Sequence, residues 1–392
     1  MFILEIRKEI TFRVCVMANY IVLGTWNTKR EELDFLCEEI RRRSHRPIPL
    51  DLSTKKATAT RNIAISQSIS GARVRLKEIA KKNHISGVIS VGGGTNLFMA
   101  ARLMEDIPLF VPKMIVSTMI VNSIHNFQPY KDILYFQSPC DFGILNPLTK
   151  SILTNCVNML TSTGKSLPSV DKPSVAITGF GITDGCFEAV RNFWLRKDFH
   201  LIPFHSIGEN TMAMAELIQM GFFKGILDLT LHDVMDHIAG GAYGKIDQNR
   251  LYAYLSRDLP AVIAPGGLDT IAFPDGHPSL SLLKKRKRYH HDFRWGIKAN
   301  KEEVIKAAKW IGNILKKTNP KNSIFLIPLQ GWSYPGERRR EFYDPELIGL
   351  FVKWIKKFYR EDSVIELDLS INDPKFGKVA SDHLYHLIKH AK

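Results

Sequence analysis

Short, almost uninterrupted apolar runs alternate along the chain with longer stretches whose apolar residues recur at helical spacing. The first run, Tyr20-Ile-Val-Leu, passes at once into Gly24-Thr-Trp-Asn-Thr-Lys29 and then into a stretch with Leu33, Phe35, Leu36 and Ile40. Glu31 and Glu32 stand near the start of that stretch, where the helix dipole favours acids. Pro47-Ile-Pro-Leu-Asp-Leu reads as the next strand, followed by a helix around 73–83 and by the strand Gly87-Val-Ile-Ser-Val. Gly92-Gly-Gly-Thr-Asn96 then leads into a helix over 97–103, and Lys113-Met-Ile-Val-Ser-Thr118 closes the run. Short apolar strands separated by helices, with glycine turns at the strand ends, predict a parallel α/β sheet.

A helix over 148–162 is followed by the polar, proline-containing segment Ser162–Pro173, which reads as a domain boundary. The logic then restarts. Ser174-Val-Ala-Ile-Thr, Leu201-Ile-Pro-Phe, Gly225-Ile-Leu-Asp-Leu, Ala261-Val-Ile-Ala, Ser323-Ile-Phe-Leu-Ile and Val364-Ile-Glu-Leu read as strands, with helices between them that include 301–317 and 345–358. The aromatic residues of 345–358 recur at helical spacing and read as core. The expected organisation is an N-terminal extension over 1–19 and two doubly wound α/β domains, over 20–168 and 169–392. The residues before Met17 are poorly patterned, and Met17-Ala-Asn-Tyr reads as the natural start.

Charge changes the picture. Lys+Arg number 54 against 39 Asp+Glu, a formal net charge of +15 over 392 residues. Such an excess favours an anionic partner, whether nucleotide, nucleic acid or an acidic surface. No apolar run approaches the roughly 18 residues that span a bilayer, and acids and bases interrupt the first ten residues, which argues against a signal peptide. Five scattered cysteines (Cys15, Cys37, Cys140, Cys156 and Cys186) form no CxxC pair. They fit reduced thiols and a cytoplasmic location rather than a disulfide framework or a zinc site.

In doubly wound sheets ligands bind beyond the carboxyl ends of the strands. Gly24, Thr25 and Lys29 in one loop, and Gly92, Gly93, Gly94 and Thr95 in another, occupy such ends. Glycine lets backbone N–H groups approach a phosphate, and the following helix favours the anion. Neither loop matches GxxxxGK[ST] or GxGxxG, so tight βα turns are the rival reading. Ser117 and Thr118 end a third strand as further hydroxyls or as helix caps, and Asn122, Ser123, His125 and Asn126 follow without metal spacing. The second half offers Asp184, His205, Asp228 and Asp269 at successive strand ends as candidates for proton transfer or for holding a divalent ion, with capping as the rival reading. Gly179, Gly181, Thr183, His232 and Asp233 stand beside them. No metal set with recognisable spacing emerges. Lys284–Arg294 is the densest basic run, with aromatics interleaved. It reads either as a solvated loop or as a nucleic-acid patch.

Gly-Thr-Trp-Asn-Thr-Lys-Arg-Glu-Glu-Leu, Gly-Val-Ile-Ser-Val-Gly-Gly-Gly-Thr and Val-Pro-Lys-Met-Ile-Val-Ser-Thr resemble the N-terminal half of Tm-1-like ATP-binding proteins, the UPF0261 family. Phe-His-Ser-Ile-Gly, Gly-Ile-Leu-Asp-Leu-Thr, Ala-Pro-Gly-Gly-Leu-Asp, Ile-Pro-Leu-Gln-Gly-Trp-Ser and Ile-Asn-Asp-Pro-Lys-Phe continue the likeness in order to the end. The resemblance implies two tandem Rossmann-like domains, each a doubly wound, mostly parallel sheet flanked by helices. It also implies ATP in the N-terminal domain, with Mg²⁺ accompanying the triphosphate, and a homodimer. Asn27 where the family has Asp, a shorter glycine loop, and bulky Met119, Ile120 and Val121 imply a smaller or altered pocket. If there is catalysis, phosphoryl transfer or activation of a small acid, with Asp184, His205, Asp228 and Asp269 in an inter-domain cleft, is the natural class. A non-enzymatic protein- or RNA-interaction module is the second reading, and an NAD- or metal-dependent dehydrogenase the third.

Overall fold

The computed structural model describes residues 17–54, 61–123, 131–163, 171–291 and 293–391. The segment before Met17, most of the boundary segment, and His125 and Asn126 lie outside the described residues. The chain divides into two compact units, residues 1–167 and 168–392.

The first unit is built on five strands, β1 (Asn19–Gly24), β2 (Arg46–Asp51), β3 (Ile85–Val91), β4 (Lys113–Ser117) and β5 (Ile133–Gln137). All pair in parallel, in the order β2-β1-β3-β4-β5. Both faces are covered, which is why the strands read as continuous apolar runs. Along β1, Ile21 and Leu23 join one buried cluster with Leu97, Ala100 and Leu103. Tyr20 and Val22 point the other way, into a cluster with Leu33, Leu36, Ile40 and Val157. The helix Pro147–Ser162 starts on a reciprocal cap: Asn146 Oδ1 accepts the Thr149 N–H and Thr149 Oγ1 accepts the Asn146 N–H.

Six parallel strands form the main sheet of the second unit. They are β6 (Ser174–Gly179), β7 (His200–His205), β8 (Gly225–Thr230), β9 (Ala261–Gly266), β13 (Ser323–Pro328) and β14 (Val364–Leu367). Their order is β14-β13-β9-β8-β6-β7. Between β9 and β13 the chain makes a small antiparallel sheet of β10 (Thr270–Pro274), β11 (Arg288–His291) and β12 (Arg294–Lys298), in the order β10-β12-β11. The helices Lys301–Thr318 and Pro345–Phe358 begin on Asn300 and Asp344, whose side chains accept first-turn amides. In the latter helix Phe351 is buried, whereas Trp354 is only half-buried, with Lys309 and Lys357 over its ring.

Both main sheets therefore have the doubly wound order in which the chain steps out from its first strand in one direction and then reverses. That reversal opens a crevice beyond the carboxyl ends of the first and third strands. These are β1 and β3 in the first unit, and β6 and β8 in the second.

Candidate nucleotide and acid–base sites

The loops singled out in the sequence follow β1 and β3, the two strands that flank the first reversal. Gly24 ends β1 because a Cβ there would lie 2.5 Å from Leu33; its absence lets the helix Trp26–Arg42 pack closely. The positive end of that helix is satisfied from within the chain. Asp51 Oδ1 accepts the Trp26 N–H at 3.1 Å, and Ser53 Oγ accepts the Asn27 N–H at 3.0 Å. Burial opposes ionisation of Asp51, but bonds from Ser53 and Trp26 and the charge of Arg75 outweigh it and hold the carboxyl below its ordinary value. Thr25 Oγ1 is engaged by Thr28 Oγ1 at 2.7 Å. Lys29 interrupts the helix (φ −134°, ψ 34°), and its Nζ lies 4.0 Å from where a Cβ on Gly143 would be.

The β3 loop is different. Gly92 is pressed against Asn96, where a Cβ would come within 2.7 Å, and Asn96 Nδ2 donates to buried Ser90 Oγ at 2.8 Å. Gly93 precedes the helix Gly94–Met104 in extended conformation, and no side chain caps the first turn. The leading N–H groups of a helix have no acceptor inside it, so Gly94 and Thr95 present open donors. A Cβ at Gly93 would meet nothing within 4 Å, so there is room in front of them. Arg61 donates to Thr95 Oγ1 at 3.0 Å, and no acid among the described residues pairs with it. A cavity of about 840 Å³ opens here, bordered by Gly94 and Thr95, by apolar Ile65, Ile69 and Phe98, and by Arg73 and Arg102. Those two arginines are balanced by Asp106 and Glu105, at 2.8 and 3.1 Å. The bulky residues after β4 do not close the cavity. Met119 sits 3.7 Å from a Cβ built on Gly94, while Ser117 Oγ accepts the Met119 N–H and Gln137 Nε2 donates to the Thr118 carbonyl.

In the second unit the four acid–base candidates separate. Asp228 is wholly buried and every oxygen position is used: it accepts Thr178 Oγ1, Tyr254 OH and both terminal nitrogens of Arg250. Arg250 Nε reaches Asp233 at 2.7 Å, and Asp233 also accepts from Thr211 and Ser206. This closed ion network ties β8 to the helix Asn249–Leu255. Asp269 is 5% exposed, accepts from Ser333 and Thr270, and is pushed up by burial. His205 and Asp184 are exposed. Phe180 connects them to the interior: His205 stacks on its ring at 5.0 Å and the fully buried His232 at 4.1 Å.

Residues 172–388 match the uncharacterised protein family (UPF0261) C-terminal domain, and residues 54–167 match its N-terminal domain. The chain belongs to the UPF0261 family. A UPF0261 protein of Clostridium tetani is 28% identical over 94% of this chain and 98% of its own length. One of Rhizobium meliloti, RA0729, is 27% identical over 93% and 98%. The ToMV resistance protein Tm-1(GCR237) of Solanum lycopersicum is 25% identical over 82% of this chain and 44% of its own length.

Some site residues of this UPF0261 chain escaped sequence reasoning. Arg61 opens the helix Arg61–Lys82, one turn ahead of its apolar stripe, and only the fold brings it to Thr95. Phe180 reads as an ordinary core residue, and Arg250 as a surface charge on a short helix. The one available signal for Arg250 was the pair of carboxylates, Asp228 and Asp233, expected at the end of a buried strand: buried charges are paired. The basic run is largely committed to structure. Arg286 pairs with Glu303 at 2.6 Å, Lys287 donates to the Glu341 carbonyl, and Arg288 to that of Leu280.

Proposed function

We propose that the N-terminal unit binds a nucleoside triphosphate, ATP in the first instance, at the β3 loop. The observation that carries this reading is the uncapped first turn at Gly94–Thr95, open in front, with Arg61 beside it and a large cavity adjoining. Phosphate oxygens would accept the Gly94 and Thr95 N–H groups, helped by the helix dipole and Arg61. Ile65, Ile69 and Phe98 offer an apolar surface for the base. Gly24, Thr25 and Lys29 flank the crevice from the β1 loop, and Ser117 and Thr118 from β4. Their amides and hydroxyls are more heavily engaged, so the phosphates centre on the β3 side. Mg²⁺ would be held chiefly by the phosphates and water. The reaction class such a ligand serves is phosphoryl transfer or activation of a small acid. A cytosolic location, on the scattered cysteines, and a homodimer, on the family resemblance alone, complete the reading.

The test is a thermal-shift and calorimetric comparison of ATP, ADP, GTP and NAD, with and without Mg²⁺. ATP should raise the melting temperature, and Thr95→Ala and Arg61→Ala should each weaken binding about tenfold. Lys29→Ala measures how far the site extends toward β1. No shift with any nucleotide at millimolar concentration would refute the reading.

A further inference from the structure

Two helices that cover one face of the six-stranded sheet carry positive charge without a counter-charge. The helices Lys301–Thr318 and Pro345–Phe358 bury Val304, Ile311, Leu347 and Phe351 in the same apolar cluster as Phe325 and Ile327 of β13. They precede and follow β13 as crossovers between parallel strands, so they lie side by side and point the same way. Their contact is close: a Cβ on Gly312 would lie 2.5 Å from Phe358. On the water side Lys306, Lys309 and Lys316 form a stripe along the first helix, and Lys353 and Lys357 a stripe along the second; all five are exposed. Trp354, half-buried in the seam, joins the stripes, with Lys309 Nζ 4.4 Å and Lys357 Nζ 4.3 Å from its ring centroid.

The acids nearby are engaged with other cations: Glu303 with Arg286, Glu346 with Lys301 and Glu366 with Lys356. Glu302 stands one turn ahead of Lys306 without pairing with it. Among the described residues no carboxylate pairs with any of the five lysines. An indole ring supplies no acceptor oxygen, so Lys309 and Lys357 keep their charge and their N–H donors. Like charges at i and i+4, as at Lys353 and Lys357, cost a helix stability. Nothing in the packing requires lysine on a face that looks to water.

We propose that this face binds the phosphate backbone of a double-stranded nucleic acid without regard to sequence. Helical Cβ atoms three or four residues apart are roughly 5–6 Å from each other, and the Lys306–Lys316 stripe is about 15 Å long. The two helix axes lie about 8–10 Å apart. A duplex carries one charge per ~1.7 Å of its axis and meets such an array at several phosphates together. The face carries no arginine fork to read guanine edges. Other partners fit less well. A single strand needs open rings for its bases, and Trp354 already has two lysines on it and Phe358 stacked at 6.4 Å. Basic helices that lie on membranes bury Trp, Phe or Leu, and none of the exposed large apolar side chains comes from either helix. Protein interfaces are depleted in lysine at their centres. The face is independent of the β3 loop, and either reading can fail alone.

The experiment is fluorescence anisotropy of the full chain with short labelled RNA and DNA duplexes, two unrelated sequences of each, over a series of salt concentrations. Both sequences should bind alike, and log affinity should fall against log salt with a slope of about −4. A variant with Lys306→Gln, Lys309→Gln, Lys353→Gln and Lys357→Gln should bind about tenfold more weakly or worse, with a slope near about −1. A control with Lys284→Gln, Lys285→Gln, Arg338→Gln and Arg339→Gln removes the same charge elsewhere and should keep the wild-type slope. Circular dichroism verifies that both variants are folded. Equal losses in the two variants would overturn the proposal, since net charge alone would then explain the binding. A wild-type slope shallower than about −2, or tighter binding to a single strand or to phosphatidylserine vesicles than to the duplexes, would also overturn it.

Discussion

The Asp51 carboxylate accepts the Trp26 N–H at 3.1 Å, so the chain supplies its own anion to the first helix of the N-terminal sheet. The same carboxylate accepts the Ser53 hydroxyl at 2.6 Å and the Ser53 amide at 2.9 Å, which fixes the end of β2 against the end of β1. The β1 loop thereby differs in kind from the β3 loop, whose helix carries no such internal acceptor. One strand end is closed by structure, whereas no side chain caps the helix that follows its neighbour.

Asp51→Asn should lower stability by about 1–2 kcal/mol, the scale of a lost helix cap with its bonded neighbours. The folded carboxyl is held below its ordinary value, so its contribution is fully present above the unfolded value and is lost as pH falls through the folded one. Wild type and variant should therefore differ most at pH above the ordinary carboxylate value and converge as pH falls through the lower, folded one. Urea unfolding across that range checks it, and a constant difference down to pH 2 would sink the assignment.

Two adjacent glycines should separate stability from binding. Gly92→Ala drives a Cβ to within 2.7 Å of Asn96 Cβ, on a side chain bonded to buried Ser90, and should destabilise the protein by roughly 1–3 kcal/mol. Gly93→Ala meets nothing within 4 Å, so the fold should tolerate it while the new methyl crowds the approach to the open amides. Its melting temperature should stay near wild type and its ATP affinity should fall. Unfolding curves with nucleotide titrations distinguish the two effects. Unchanged ATP affinity in Gly93→Ala would place the phosphates elsewhere.

The parallel strands were the most legible part of the chain, because each is buried on both faces and carries an unbroken apolar run. The half-exposed edge strand β5 was not read, since Ile133-Leu-Tyr-Phe-Gln137 presents two exposed positions, Leu134 and Gln137. The helix before β3 extends over Arg61–Lys82, not 73–83: its apolar stripe begins at Ile65 and Ile69, which are only partly buried and stand among serines, and continues through Ala72, Leu76 and Ile79. Arginine and lysine concealed β11 and β12. Their pairing rests on contacts such as His290 against Trp295 at 4.4 Å, which a charge run does not advertise. Of the candidate site, the glycine loops and strand-end residues were legible because doubly wound sheets bind ligands there. Which loop is open, and which carboxylate is sealed, depended on Asp51 and Arg250, partners distant in sequence.

Arg250→Met should destabilise the second unit by roughly 3–5 kcal/mol, because Asp228 and Asp233 would then be buried without a counter-charge. Adding Asp228→Asn to that variant should recover part of the loss by removing one of the two charges. Denaturant unfolding followed by tryptophan fluorescence measures both. A loss below about 1 kcal/mol for Arg250→Met would mean that water reaches the network.

Thiol chemistry gives a final check on the packing. Burial pushes the Cys37 thiol up to about 11, with Arg41 acting against it, and the Cys156 and Cys186 thiols up to about 12. Cys140 is only half-buried, on the segment after β5. The thiolate is the reactive form, and its fraction at pH 8 falls about tenfold for each unit by which the thiol is raised. In a Cys15→Ser background, a disulfide reagent at pH 8 should therefore modify Cys140 first, and the other three thiols only after unfolding. Peptide mapping identifies the labelled residue. Prompt reaction of Cys156 or Cys186 in the folded protein would show that the helices Pro147–Ser162 or Phe187–Arg196 open locally far more readily than their packed faces allow.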